Sequence, residues 1–276
     1  MKAKMLMSVI TLILLACSCG SMNSSLKKEN LSGELSIVEL DSGVYQVIHS
    51  FPWPGNSLIV KLGQSDFVWV DTPYTPEATS SVLEWLYKKH GKSIKITEIN
   101  TGFHIDNLGG NGELIKRKIP VYGSQLTCEL LKTRNKNTMQ TMLKWLSSPE
   151  NKIYYDAYKS FRFYEPTQKF NINEEQVLII GSEKVEIYFP GPTHTYDNTV
   201  VYIPGKKILF GGCMVLSMEA KKAGFVDDGN MKEWPKSLAK VLKKYGDADL
   251  VIPGHGSAGN ISLLKHSISV LENRGK

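Results

Sequence analysis

Hydrophobic and polar positions along the 276-residue chain change period several times, and each change marks a secondary-structure element. Val, Ile, Leu and Tyr alternate or cluster between Gly, Asp and Asn over residues 35–39, 43–49, 56–62 and 66–71, which predicts an N-terminal antiparallel meander. Residues 76–90 place Val82, Leu83, Leu86 and Tyr87 at helical spacing, with Pro76 at the start and Gly91 at the end, so a helix is predicted there. A strand over 93–100 follows, Asp106 is placed to cap the next helix, and VYGS at 121–124 leads into another. Residues 133–160 are rich in Lys and Asn, with a helical insert around MQTMLKWL. The second half repeats the plan, with strands at 176–181, 184–189, 198–203 and 207–211, a helix around 231–244, the strand DLVIP and a closing helix from about 260. Two β-rich halves, each followed by helices, predict an α/β protein built as a four-layer αββα sandwich.

Composition adds little to this picture except at the N-terminus. A hydrophobic content of 42% and a charged fraction of 22% suit one compact domain with one sizeable core, expected to act as a monomer. Lys2 and Lys4 precede an apolar run from Met5 to Ala16 that is too short for a permanent membrane span, so residues 1–16 read as an export signal. Its ending, Leu14-Leu15-Ala16-Cys17, resembles a lipobox, which makes Cys17 the lipidation site and predicts a periplasmic protein anchored to the outer membrane. An ordinary signal peptide ending near a cysteine is the alternative. Residues 17–34 then form the lipidated terminus and a polar tether, and 35–276 the folded domain. Losing Lys2 and Lys4 with the signal lowers the formal charge from +6 to +4, a slight bias towards anionic substrates. No long basic run interleaved with aromatics is present, so nucleic acid is not an expected partner.

Cysteine and histidine usage is more informative. Acylation of Cys17 leaves Cys19, Cys128 and Cys213, an odd number in an oxidising compartment. A Cys128–Cys213 disulfide is one reading; the neighbours of Cys213 favour another. Of six histidines, His49, His90 and His266 sit in plain strand or helix contexts and read as surface or packing residues. His104, His194 and His255 directly follow predicted strands, Cys213 follows KILFGG, and Asp106 shares the loop of His104. Carboxyl ends of strands are where an α/β protein builds its site, and flanking glycines let the backbone turn sharply there. Imidazole, thiolate and carboxylate together fit zinc, and a hydrolytic zinc needs three protein ligands and an open position. Asp106, Cys213 and His255 fill one such site; His104 and His194 make two-thirds of a neighbouring one.

At these residues the chain resembles the metallo-β-lactamases, in the branch that uses a cysteine ligand. NTGFHIDNLGG is similar to the His-x-His-x-Asp loop, GPTHTYDNTVVYIP to the second histidine segment, ILFGGCMV to the cysteine strand and VIPGHG to the last histidine. Asp71 in VWVDTP resembles the strand-end aspartate that supports the metal loop, and Asn107 fits the cysteine branch, since relatives lacking the cysteine place a ligating histidine there. The resemblance implies one or two zinc ions held by His104, Asp106, His194, Cys213 and His255, and hydrolysis of a β-lactam. Asp106, His104 and His194 are then the catalytic residues. SFPWPGN, with exposed Phe51 and Trp53 at a hairpin tip, resembles the mobile loop that closes over substrates, a buried aromatic turn being the alternative.

Three departures qualify the resemblance. Gly102 stands where the first metal-binding histidine is expected, which removes a ligand from the three-histidine site. Leu216 replaces the lysine that binds the substrate carboxylate, leaving Lys221, Lys222 or Ser217 to take that role. Phe225 occupies the region where an asparagine often holds the lactam carbonyl. The alternatives are a hydrolase of another ester, thioester or lactone on the same fold, and a non-catalytic zinc-binding lipoprotein.

Overall fold

The computed structural model describes residues 26–273. The expected export signal, Cys17 and Cys19 lie outside the described residues. Strands β1 (Lys27–Asn30), β2 (Leu35–Asp41), β3 (Val44–Ser50), β4 (Pro54–Lys61), β5 (Asp66–Val70), β6 (Lys95–Ile99), β7 (Val121–Ser124) and β8 (Gln168–Phe170) follow one another across an eight-stranded sheet. Pairing is antiparallel up to β5 and parallel from β5 to β8. Strands β9 (Gln176–Ile180), β10 (Glu183–Tyr188), β11 (Val200–Ile203), β12 (Ile208–Gly212) and β13 (Leu250–Pro253) form a second sheet in which β12 and β13 run parallel.

The helices are α1 (Pro76–His90), α2 (Ile105–Leu108), α3 (Asn111–Lys116), α4 (Gln125–Thr133), α5 (Asn135–Trp145), α6 (Lys152–Ser160), α7 (Trp234–Lys244) and α8 (Ser262–Glu272). Strand alternation decides how they stack. Leu58, Val60, Val68 and Val70 face the second sheet and meet Val185, Val201, Ile203 and Phe210, while Ile59, Phe67 and Trp69 face outwards against Val82, Leu83 and Leu86 of α1. Leu209 and Val251 on the opposite outer face meet Trp234 and Leu238 of α7 and Leu263 and Leu264 of α8. The result is the expected αββα sandwich. Each fully buried aliphatic side chain in these layers contributes roughly 1.5–3 kcal/mol relative to exposure.

Helix α1 starts where its sequence signals place it. Thr75 accepts a hydrogen bond from Ala78 N–H at 3.2 Å, Glu77 lies in the first turn, Lys88, Lys89 and His90 in the last, and Gly91 at φ +86° ends it. Two expectations need correction. Strand pairing is already present before residue 35: Lys27–Asn30 pairs with Ser36–Glu39, Glu29 accepts the Trp85 indole N–H at 3.0 Å, and Leu31 packs on the outer core. Residues 27–30, expected as part of the tether, are a strand of the sheet. Cys128 and Cys213 are both free and buried, so they do not form a disulfide.

Helices α4 to α6, only partly anticipated, form a cover at one end of the sandwich. Rings and thioethers of α5 and α6 pack on Tyr74 and Ile105 in a fourth cluster with Leu146 and Tyr158.

Candidate metal centre

Asp71 is the first residue past β5 and is fully buried in a left-handed conformation, φ +56°. Its Oδ1 accepts the Thr101 N–H at 2.7 Å, and its Oδ2 accepts the Thr101 hydroxyl at 2.7 Å and Asn107 Nδ2 at 2.8 Å. The loop after β6 is thereby tied down on both sides of Gly102 and His104. Burial pushes the Asp71 carboxyl well above the usual range, and the hydrogen bonds from Thr101 and Asn107 work against that rise. Helix α2 begins at Ile105, so Asp106 lies in its first turn and does not cap it; His104 takes the cap position.

Asp106 faces the ends of β12 and β13. The Cys213 thiol donates to Asp106 Oδ2 at 3.2 Å, His255 Nε2 lies 3.3 Å from the same oxygen, and Cys213 Sγ is 3.9 Å from His255 Nε2. Ligand atoms of all three lie within 4.8 Å of one another. Glycine makes this approach possible: a Cβ on Gly254 would stand 2.7 Å from Cys213 N, and Gly254 N–H donates to Gly212 O at 2.7 Å. His255 Nδ1 lies 2.6 Å from Pro54 O, which turns Nε2 towards Asp106.

Electrostatics in this cluster favour a cation. Burial works against the Asp106 carboxylate, but the hydrogen bond and charge of His255, with His104 and the Cys213 thiol, outweigh it and hold the group well below its usual range. Burial pushes the Cys213 thiol well up, and the nearby carboxylates of Asp106 and Asp71 push it further. Desolvation works against the His255 imidazolium, and Asp106 outweighs it and raises the ring's pKa. A carboxylate, a thiol and an imidazole converging on one point suit zinc in chemistry and in number.

The second half of the site is a histidine pair. His104 Nδ1 and His194 Nε2 are 3.2 Å apart and both rings are buried. Burial, then the charge of His104, lowers the His194 pKa to about 3. His104 Nε2 lies 3.1 Å from Asp228 Oδ2, which also accepts the Thr138 hydroxyl at 2.6 Å; Arg134 stands 4.0 Å from Asp228 Oδ1. Sequence reasoning missed Asp228 and Thr138. The acidic doublet before Gly229, close after Phe225, is the only trace that Asp228 leaves.

A cavity of about 870 Å³ opens over both halves, walled largely by Trp53, Met139, Met142, Trp145, Leu216 and Phe225. Trp53, Ser217 and Phe225 line it, and Lys222 does so while Lys221 does not. The Phe225 ring sits 5.6 Å from that of His104 and 5.6 Å from that of Trp145. Phe51 is the exception among the expected substrate contacts. It does not line the cavity; its ring stacks on His49 and meets Tyr154 and Tyr158. Both Phe51 and Trp53 are half-buried because the cover helices surround the hairpin tip. The other three histidines stay outside the site, His49 accepting Tyr74 N–H, His90 beside the Tyr45 hydroxyl and His266 beside Ala220 O.

Residues 51–255 match the metallo-beta-lactamase superfamily. The chain is 33% identical over 252 residues to a metallo-beta-lactamase type 2 of Bacillus cereus, covering 88% of this chain and 85% of that one. Its identity to a metallo-beta-lactamase type 2 of Pseudomonas aeruginosa is 32% over 239 residues, covering 85% and 83%. A solved metallo-beta-lactamase from Pontibacter korlensis superimposes with a TM-score of 0.67 at 29% identity, covering 91% of this chain and all of that one. The chain therefore belongs to the metallo-beta-lactamase superfamily, whose members bind zinc.

Proposed function

We propose that this protein is a zinc-dependent hydrolase that opens the β-lactam ring of antibiotics, with zinc held by Asp106, Cys213 and His255. The observation that carries the reading is the convergence of those three donors at the floor of a cavity whose walls are apolar and whose lining includes one cationic side chain, Lys222. A β-lactam combines an apolar acyl substituent with a carboxylate beside the ring, and the cavity matches that division.

A zinc ion held there supplies Lewis acidity and lowers the pKa of water towards neutrality. Residues of this chain do the rest. His194, its pKa lowered to about 3 by burial, is neutral at pH 7 and positions water by hydrogen bonding, with the His104 ring 3.2 Å beside it. Asp228 orients the His104 ring from behind. Lys222 attracts the substrate carboxylate, while Trp53 and Phe225 pack on the acyl group and keep bulk water out. Strain in the four-membered ring lowers the barrier, which removes the need for a covalent nucleophile.

Leu216 and Phe225 also favour a second reading, hydrolysis of a lactone, ester or thioester carrying a large apolar group. Hydrolysis of a carbapenem and a cephalosporin, followed through a zinc titration and then chelator, tests the first. Turnover that rises with zinc and stops with chelator is expected; zinc bound without turnover of either antibiotic would move the assignment to the second. The Leu14-Leu15-Ala16-Cys17 ending supports anchoring through Cys17 at the periplasmic face of the outer membrane, where β-lactams pass.

A further inference from the structure

Gly102 stands where a third imidazole would complete the histidine half of the site, and its surroundings are not vacant. A Cβ built there would lie 2.5 Å from Asn198 Nδ2 and 2.9 Å from Asn107 Oδ1, both closer than ordinary van der Waals contact. Tyr196 does not take the space: it is over one-third exposed and its ring packs under Arg134. We infer that the carboxamides of Asn198 and Asn107 close this position, so that glycine is required at 102 and the His104–His194 pair is fixed as a two-ligand site.

Neither carboxamide is free to yield. Asn107 Nδ2 donates to Asp71 at 2.8 Å and lies 3.6 Å from Cys213 Sγ, while its Oδ1 is buried without a partner and faces Gly102. Asn198 Oδ1 accepts the Thr195 N–H at 2.8 Å and the Thr193 hydroxyl at 3.3 Å, which are the two residues flanking His194. Moving Asn198 aside to admit a side chain at 102 therefore releases the segment that positions His194. A third ligand can be gained there only by disturbing the second. The inference is independent of which substrate the enzyme hydrolyses.

Thermal unfolding of Gly102→Ala, Asn198→Ala and the double variant, compared with the parent, tests it. Gly102→Ala is expected to lower Tm by roughly 5 °C. In the Asn198→Ala background the same change is expected to cost much less, because the nearest obstructing atom is gone. An alanine tolerated at 102 in the parent, or equal penalties in both backgrounds, would overturn the assignment to Asn198. A second measurement does not depend on the Asn198 variant folding. Gly102→His is expected to bind no more zinc in equilibrium dialysis than the parent, and a stable Gly102→His protein holding one additional equivalent would likewise overturn it.

Discussion

His104 and Asp228 form a buried pair, with Nε2 of the ring 3.1 Å from Oδ2 of the carboxylate, and this pair joins the histidine half of the site to the cover helix α5. The link runs through Thr138, the one buried residue of α5, whose hydroxyl donates to the same carboxylate oxygen. Burial costs the Asp228 carboxylate, and its bonds to His104 and Thr138 outweigh that cost and lower its pKa. Asp228→Asn keeps the shape and removes the charge. It is expected to lower kcat by roughly 10–100-fold, the range seen when partners of metal-site histidines are replaced. Thr138→Val should lower kcat less, and Thr138→Ser should restore it. Steady-state kinetics of the three variants decide the point, and equal loss in Val and Ser variants would reduce Thr138 to a packing residue.

Cys213→Ala removes the softest donor of the proposed zinc site and leaves Asp106 and His255. Zinc content after dialysis is expected to fall well below that of the parent, with activity falling in parallel. The variant should fold, because Cys213 lines the cavity, its Sγ contacts Asp106 and Asn107, and it belongs to none of the apolar clusters. An active Cys213→Ala protein with unchanged zinc would rule the ligand assignment out.

Lys222 and Lys221 are adjacent, but only Lys222 lines the cavity. Lys222→Ala is expected to raise KM for a carboxylate-bearing antibiotic about tenfold, near the cost of one charge-assisted hydrogen bond, with little change in kcat. Lys221→Ala serves as the control and should leave both constants where they are. Identical behaviour of the two variants would mean that the carboxylate is held elsewhere.

Periodicity made the sandwich legible in the sequence, because buried strands and amphipathic helices repeat with different periods. The short strands β1, KKEN, and β8, QKF, escaped notice because each is too polar and too brief to show a pattern. Asp106, Cys213 and His255 were legible because each follows a predicted strand or a glycine turn, where chain topology forces residues together. Asp228 and Thr138 were not. Their contacts cross 124 and 90 residues of sequence, and a polar residue in a loop or an exposed helix carries no mark of the partner that it will meet. Phe51 misled for a related reason: a hairpin-tip aromatic looks exposed until the helices that cover it, read only in outline from a Lys/Asn-rich segment, are in place.

His49 shows how a histidine outside the site should affect stability. It is buried, its Nδ1 accepts the Tyr74 N–H at 3.1 Å, and burial lowers its pKa from the usual 6.5 to about 4. Above pH 6.5 the ring is neutral in both folded and unfolded chains, and its contribution is complete. Between pH 6.5 and 4 the unfolded chain takes up a proton that the folded chain refuses, so stability must fall as pH falls. The full effect of such a shift is roughly 3 kcal/mol. Asn places an acceptor near the position of Nδ1 and does not titrate, so His49→Asn should keep the Tyr74 bond and lose this acid sensitivity. Urea unfolding of parent and variant from pH 7.5 to 4.5, at constant zinc, checks the sign. The parent is expected to lose more stability than the variant across that range, whereas parallel curves would show that His49 is protonated in the folded protein as readily as in the unfolded chain.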